Sequence, residues 1–323
     1  MRSLALKKIR ALVVLVSMAS LYSVVTTAPA SAASVSIYLC ATTGTATMPG
    51  AVSVPIWGFV ETGSATCVGA SGNAQIPGPV LDVNDGDDVT ITITNDLPGA
   101  HAASFELPGL SVIPSGATYS FTATRPGTFA YQSPGDAGRQ MAMGLYGALI
   151  VRPTSAPDTP IPGQAYGSPS SAYDAETTLV LSAIDPVFNA SPDTFNMHDY
   201  LATYWLINGK AYSSTPSEST DPIHATAGQK LLLRYVNAGF DNTTMMLLGL
   251  HEHVLARDAY LLSAPFDADA ETFPAGATED AIAMIPASSS GLPNGFPLFN
   301  RQLHLTNDAP GVSPGGQMTF IVP

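Results

Sequence analysis

Apolar and hydroxyl residues alternate along DDVTITITN (residues 87–95). Val89, Ile91 and Ile93 fall on one face, and Thr90, Thr92 and Thr94 on the other. A period of two is that of a half-buried β-strand, whose successive side chains point to opposite faces. The same period is read in ATYSFTATRPG through Tyr119 and Phe121, and again in QKLLLRYVNAG and QMTFIVP. No long amphipathic helix is predicted beyond the first 32 residues. DADAETFPAGATEDAIAMIP has some helical composition, but Pro274 and Gly276 interrupt it. Short strands at regular spacing predict an all-β chain of Greek-key β-sandwich domains.

The pattern falls into two similar halves. VNDGDDVTITITN parallels HATAGQKLLLRYVN: a glycine turn, an apolar strand, then Asn95 or Asn237. VIPSGATYSF parallels TFPAGATEDAIAMI in the same way, each a turn before a strand. The repeat points to duplication of one sandwich unit. Between the halves lies TSAPDTPIPGQAYGSPSSAYD, rich in Pro, Ser and Gly, which reads as an exposed linker or long crossing loop. The predicted organisation is a leader over residues 1–32, a first domain over 33–153, a linker over 154–175 and a second domain over 176–323.

Composition agrees with strands and turns. The 323 residues include 28 Gly and 27 Pro, which suit many tight turns. The formal net charge of -13, with 12 Lys and Arg, argues against nucleic acid, because phosphate binding needs clustered cations. Arg2, Lys7, Lys8 and Arg10 precede an apolar run from Ala11 to about Val25, and Ala30-Ser31-Ala32 follows. These are the parts of a secretory signal peptide, with the mature chain starting near Ala33, an uncleaved anchor helix as the other reading, and no other segment able to cross a membrane. A secreted, periplasmic or cell-surface location makes a Cys40–Cys67 disulfide the expected state of the two cysteines. Closing that loop stabilises by roughly 3 kcal/mol. The other reading, a copper thiolate, lacks histidine neighbours at ligand spacing.

These phrases resemble the cupredoxin domains of multicopper oxidases, the laccase-like family. In the first half IPGPVLDVNDGDDVTITITNDL, PSGATYSF and RPGTFAYQSP followed by GRQMAMGLYGALIV carry the likeness; in the second, YWLINGKAY, KLLLRYVNAG and HVLARDA do. The resemblance implies two cupredoxin-like sandwiches across nearly all of the mature chain. It also implies a trinuclear copper centre held by His-x-His pairs, since imidazole suits copper and the spacing sets both rings on one strand face. Here Glu106 and Pro108 take one pair of positions, and Gln132 and Pro134 the other. A proline ring offers copper no donor and removes a backbone N–H. The last segment, FNRQLHLTNDAPGVSPGGQMTFIVP, holds His304 and Met318 but no Cys for a type 1 copper, as though the chain stopped where a copper-bearing domain would begin.

Other candidates are weighed against ordinary roles. His251 and His253 in HEH have ligand spacing, with His304 as a third donor if it packs beside them. Met141, Met143, Met245 and Met246 read as core filler or soft copper ligands. Asp82, Asp85, Asp87 and Asp88 read as a solvated turn or a weak calcium site, and Asp267, Asp269 and Glu271 similarly. His101 reads as a solvated loop residue, and Asn189 and Asn242 head glycosylation sequons. The expected function is a non-catalytic binding or assembly protein outside the cell, with no cofactor and with a protein partner or self-association. The rivals are a divergent copper-dependent oxidase or electron-transfer subunit, and a copper-binding or delivery protein.

Overall fold

The computed structural model describes residues 33–107, 112–155, 159–213, 219–287, 292–304 and 316–323. The proposed leader and Pro108 lie outside them. Ser31–Pro323 forms one compact unit. The first sandwich is built from β1 (Ser34–Met48), β2 (Val52–Thr62), β3 (Leu81–Asn84), β4 (Asp88–Asn95), the short β5 (Ser104–Phe105) and β6 (Ile113–Pro114), β7 (Thr118–Thr122), β8 (Gly127–Gln132) and β9 (Tyr146–Arg152). One sheet runs β2-β1-β4-β7 and faces a second, β3-β9-β8. Val89, Ile91 and Ile93 of β4 meet Leu81, Val83, Leu149 and Val151 of the opposite sheet in the core. The threonine face of β4 pairs hydroxyls with β7, Thr90 to Ser120 at 3.3 Å and Thr92 to Thr118 at 3.4 Å. The alternation in the sequence is thus the division between core and solvent.

A single helical turn, α1 (Arg139–Met143), joins β8 to β9 and stops at Gly144, where φ is +122°. A side chain there would meet the Trp57 carbonyl oxygen at 2.4 Å, so the stop requires glycine. A two-strand ladder, β10 (Thr154–Ser155) with β11 (Thr159–Pro160), follows.

The second sandwich contains β12 (Ala175–Ile184), α2 (Pro186–Ala190), β13 (Tyr204–Ile207), β14 (Ile223–His224), β15 (Lys230–Asn237), β16 (Thr243–Leu247), β17 (Glu252–Arg257), β18 (Tyr260–Ala268), β19 (Ala270–Phe273), β20 (Thr278–Met284), β21 (Phe296–Asn300) and β22 (Met318–Val322). Its sheets run β13-β12-β15-β20-β17-β18 and β14-β22-β21-β16-β19. The internal repeat has a topological counterpart. β1 pairs β4 in parallel as β12 pairs β15, and β7 and β20 then add antiparallel. Gly86 N–H donates to the Ala123 carbonyl at 2.6 Å, as Gly228 does to Ile285 at 2.8 Å. Asn95 and Asn237 each pin the loop after their strand through side-chain bonds to backbone, Asn95 to His101 and Ala103, Asn237 to Asp241, Phe273, Pro274 and Gly239.

The sandwiches share a core. Met48, Val54, Ile56, Ala130 and Tyr146 of the first pack with Val180, Ile184, Leu206 and Val236 of the second. Asp185 caps α2 by accepting from Val187 N–H at 2.9 Å and Phe188 N–H at 3.2 Å, with Pro186 at the first helical position. That turn sets Phe188 into the first sandwich's core. The segment predicted as exposed is anchored instead. Ala165 is buried with Leu232, Leu255 and Ile282, and Tyr166 donates its hydroxyl to Asp280. Tyrosine supplies both an apolar ring and a donor, which composition counts overlook. Cys40 and Cys67 are disulfide-bonded. Among the described residues no helix is long and apolar enough to cross a membrane.

Candidate functional site

Gln132 ends β8 and faces Glu106, which follows β5. Glu106 N–H donates to the Gln132 carbonyl at 2.8 Å, and Gln132 N–H returns a bond to Glu106 at 3.1 Å. Their side chains close the same rung, with Gln132 Nε2 donating to Glu106 Oε2 at 2.9 Å. The next residue continues the tie: Ser133 Oγ lies 2.9 Å from both the backbone N and the Oγ of Ser104, and donates to Gln140 Oε1. Gln140 Nε2 in turn bonds the Ala102 carbonyl at 3.0 Å. Pro134 then leads out of the strand with no side-chain donor. An amide satisfied by a carboxylate has the geometry of a structural cross-strand pair. The side chains present do not fit a copper centre assembled from imidazoles.

The histidines expected as an alternative set are separated. His251 and His253 lie on the exposed face beside β18, and each is engaged through Nδ1, His251 with Asp269 and His253 with Asp267, both at 2.6 Å. His304 stacks on Trp205 of β13 with ring centroids 3.8 Å apart and planes 6° from parallel, and burial lowers its pKa. β13 and β17 lie four strand steps apart in one sheet, or about 19 Å, so His304 does not join the pair. Among the described residues no group of three or more His, Cys, Asp and Glu is placed to hold a metal ion.

The remaining candidates take structural places. Met143 and Met245 are core residues of the first and second sandwiches. Asp82 pairs with Arg152 at 2.7 Å, Asp87 accepts from Asn84 N–H at 2.7 Å and Asp88 from Thr122 at 2.8 Å, so the acidic turn is dispersed. Glu271 bonds Arg257. Asn189 is buried and donates to the Pro55 carbonyl at 2.8 Å, which leaves Asn242 as the exposed sequon of the two.

His101 corrects the expectation of a solvated loop residue. Its Nδ1 lies 2.5 Å from Asp136 and its Nε2 2.6 Å from Asp193, and its ring packs on Trp57 with centroids 4.6 Å apart. Burial pulls its pKa down, but the hydrogen bonds to both carboxylates outweigh that, and the net shift is upward. Asp193 belongs to the second half, a distance in sequence that periodicity does not register.

Arg234 and Glu252 are buried polar groups that strand periodicity does not mark. Arg234, fully buried in β15, bonds Glu176 at 3.0 Å, Thr128 at 3.0 Å and Asp280 at 3.3 Å. Thr128 comes from the first sandwich, and its hydroxyl also donates to Asp280 at 2.6 Å. The visible sign was a lone cation inside LLLRYV. Glu252, between the two exposed histidines, points into the core, where Tyr235 donates to it at 2.5 Å and its Oε2 has no partner. Burial pushes its pKa up to about 8 against the lowering by the Tyr235 bond, with Glu279 adding to the rise.

Residues 61–156 match the family model described as Multicopper oxidase. The L-ascorbate oxidase of Cucurbita pepo var. melopepo is 31% identical over 130 residues, covering 34% of this chain and 21% of that protein. Multicopper oxidase MCE of Talaromyces pinophilus is 35% identical over 97 residues, covering 25% and 16%. The match therefore spans about a fifth of the length of these relatives. In solved structures, the blue copper oxidase from Nitrosomonas europaea superposes with a TM-score of 0.71 at 21% identity, covering 89% of this chain and 85% of that one. The copper nitrite reductase from the same organism gives 0.63 at 20% identity over 90% and 94%. At these identities the structural likeness is one of fold.

Proposed function

We propose, for a chain that is multicopper-oxidase-like in sequence over residues 61–156 and in fold over 89% of its length, a role as an exported, non-catalytic binding or assembly protein. The observation that carries this reading is the Glu106–Gln132 rung, in which two positions assigned to copper-binding imidazoles are spent on holding the end of β8. The disulfide and the leader-like first 32 residues support export. A surface for a protein partner or a second copy is offered by β18, an edge strand that exposes Tyr260, Leu261 and Phe266.

The test is metal analysis and oxygen uptake with a phenolic donor, on protein secreted by its own leader and loaded with copper. Neither retained copper nor turnover is expected, with a mature terminus near Ala33 by mass spectrometry. Oxygen consumption would replace the reading with that of a divergent oxidase. Stoichiometric copper lost in His251→Ala/His253→Ala would replace it with a copper-binding or delivery role. Elution as a monomer at every concentration would count against self-association and leave β18 to another partner.

A further inference from the structure

Arg125 lies in the turn between β7 and β8. Arg152, Arg234 and Arg257 all bind carboxylates, whereas among the described residues no ion pair reaches Arg125. Its Nε is buried without a hydrogen-bond partner. Arg139, also outside any ion pair among the described residues, instead donates to the Pro192 and Phe195 carbonyls. The Arg125 guanidinium carbon sits 3.8 Å from the Tyr260 ring centroid and 5.2 Å from that of Phe129. Tyr260 opens β18 in the second sandwich, so the stack spans the junction. The backbone beside it is fixed: a side chain at Gly127, where φ is +139°, would meet Ala259 Cβ at 2.6 Å.

Hollows flank this stack on two sides. One, of about 460 Å³, is walled by Leu107, Phe121, Leu149 and Val151, and among the described residues its lining holds no carboxylate. The other, of about 420 Å³, includes Asp258, which accepts from Thr278 N–H at 3.0 Å. Arg125, Phe129 and Tyr260 line both. The first hollow has the size and apolar walls of a small-molecule site. Its one charged lining residue presents a planar fork that matches a carboxylate.

We propose that the apolar hollow beside Arg125 binds a small organic anion, a carboxylate carried on an aromatic body. The carboxylate meets the guanidinium at the mouth, and the ring lies against Tyr260 and the apolar wall. This deepens the binding-protein reading by naming a ligand class, and rests on it only in treating the chain as a binder. The copper assays above and the titration below fail separately.

The experiment is isothermal titration calorimetry of the full chain, without copper, with 2-naphthoate and its neutral isostere 2-naphthamide. Saturable one-site binding of naphthoate is expected, with the amide weaker by about tenfold or more. Arg125→Gln should weaken naphthoate by about the same factor and level the two ligands. Tyr260→Ala should weaken both. Absence of saturable binding at millimolar naphthoate, equal affinity for acid and amide, or unchanged affinity in Arg125→Gln would overturn the proposal. If Arg125→Gln does not fold, the acid–amide comparison on the native chain decides alone.

Discussion

Glu252 and His101 show how single side chains set the pH response. The buried Glu252 carboxyl, raised to about 8, keeps a proton in the folded chain that the unfolded chain releases near 4.5. Its contribution is fully present below the unfolded value and is lost as pH rises towards about 8. Glu252→Gln should therefore stabilise the protein at pH 8–9, by about 2–4 kcal/mol, and change little near pH 4. Urea titrations at both pH values measure this; equal effects at the two would show that Glu252 is not the titrating group. His101 is also raised, so its stabilisation is present below 6.5 and lost as pH climbs through its folded value. Asp193→Asn should lower the His101 pKa, because one of its two carboxylate partners becomes neutral. An NMR titration of the imidazole reads that shift, and an unchanged pKa would assign the rise to Asp136 alone.

At the scale of elements, alternation and turn chemistry account for most of what forms. β4 exposes threonines and buries Val89, Ile91 and Ile93 as its period of two requires. β15 corrects the alternation read in QKLLLRYVNAG: it is central in its sheet and buried on both faces, so LLLRYV does not alternate and carries its cation inside. The disulfide ties β1 to the loop after β2, with the two Cα atoms 5.3 Å apart and a sequence separation of 27. Cys40→Ala/Cys67→Ala should cost roughly 3 kcal/mol with the fold retained, because β1 keeps both its neighbours, β2 and β4. Circular dichroism with a denaturation curve tests this, and loss of the β spectrum would show that the bond is needed for folding itself. The Glu106–Gln132 rung belongs to the same scale. The sequence reads its residues as replaced ligands, but their mutual hydrogen bond follows from an isolated bridge between the end of β8 and the residue after β5, which no local pattern announces.

Across the junction the sandwiches are joined by a shared apolar core, by the His101–Asp193 pair and by an ion network centred on Arg234. Arg152 binds Asp82 and Glu176, Glu176 binds Arg234, and Arg234 reaches Asp280 and Thr128. Burial alone would lower the Arg234 pKa, but Asp280 and Glu176 outweigh it and hold the guanidinium charged. With this network and the shared core, both sandwiches should unfold in a single calorimetric transition. Arg234→Met should cost about 3–5 kcal/mol, since it strands buried carboxylates, and Arg234→Met/Asp280→Asn should recover part of that. Two separated transitions in the native chain would show that the junction does not couple the halves.

The sequence by itself determined the strands, the duplication and the disulfide pair. Each is written in local periodicity, in phrases repeated at corresponding places, or in a choice of two cysteines. Tertiary structure alone decided the rest: His101 between carboxylates of both halves, Tyr166 held on Asp280, His304 set apart from His251 and His253, and Arg125 Nε buried without a hydrogen-bond partner. Burial and charge pairing depend on which residues meet across sheets and across the junction. Those meetings link positions tens to more than a hundred residues apart, as Thr128 and Asp280 are, where strand period carries no information.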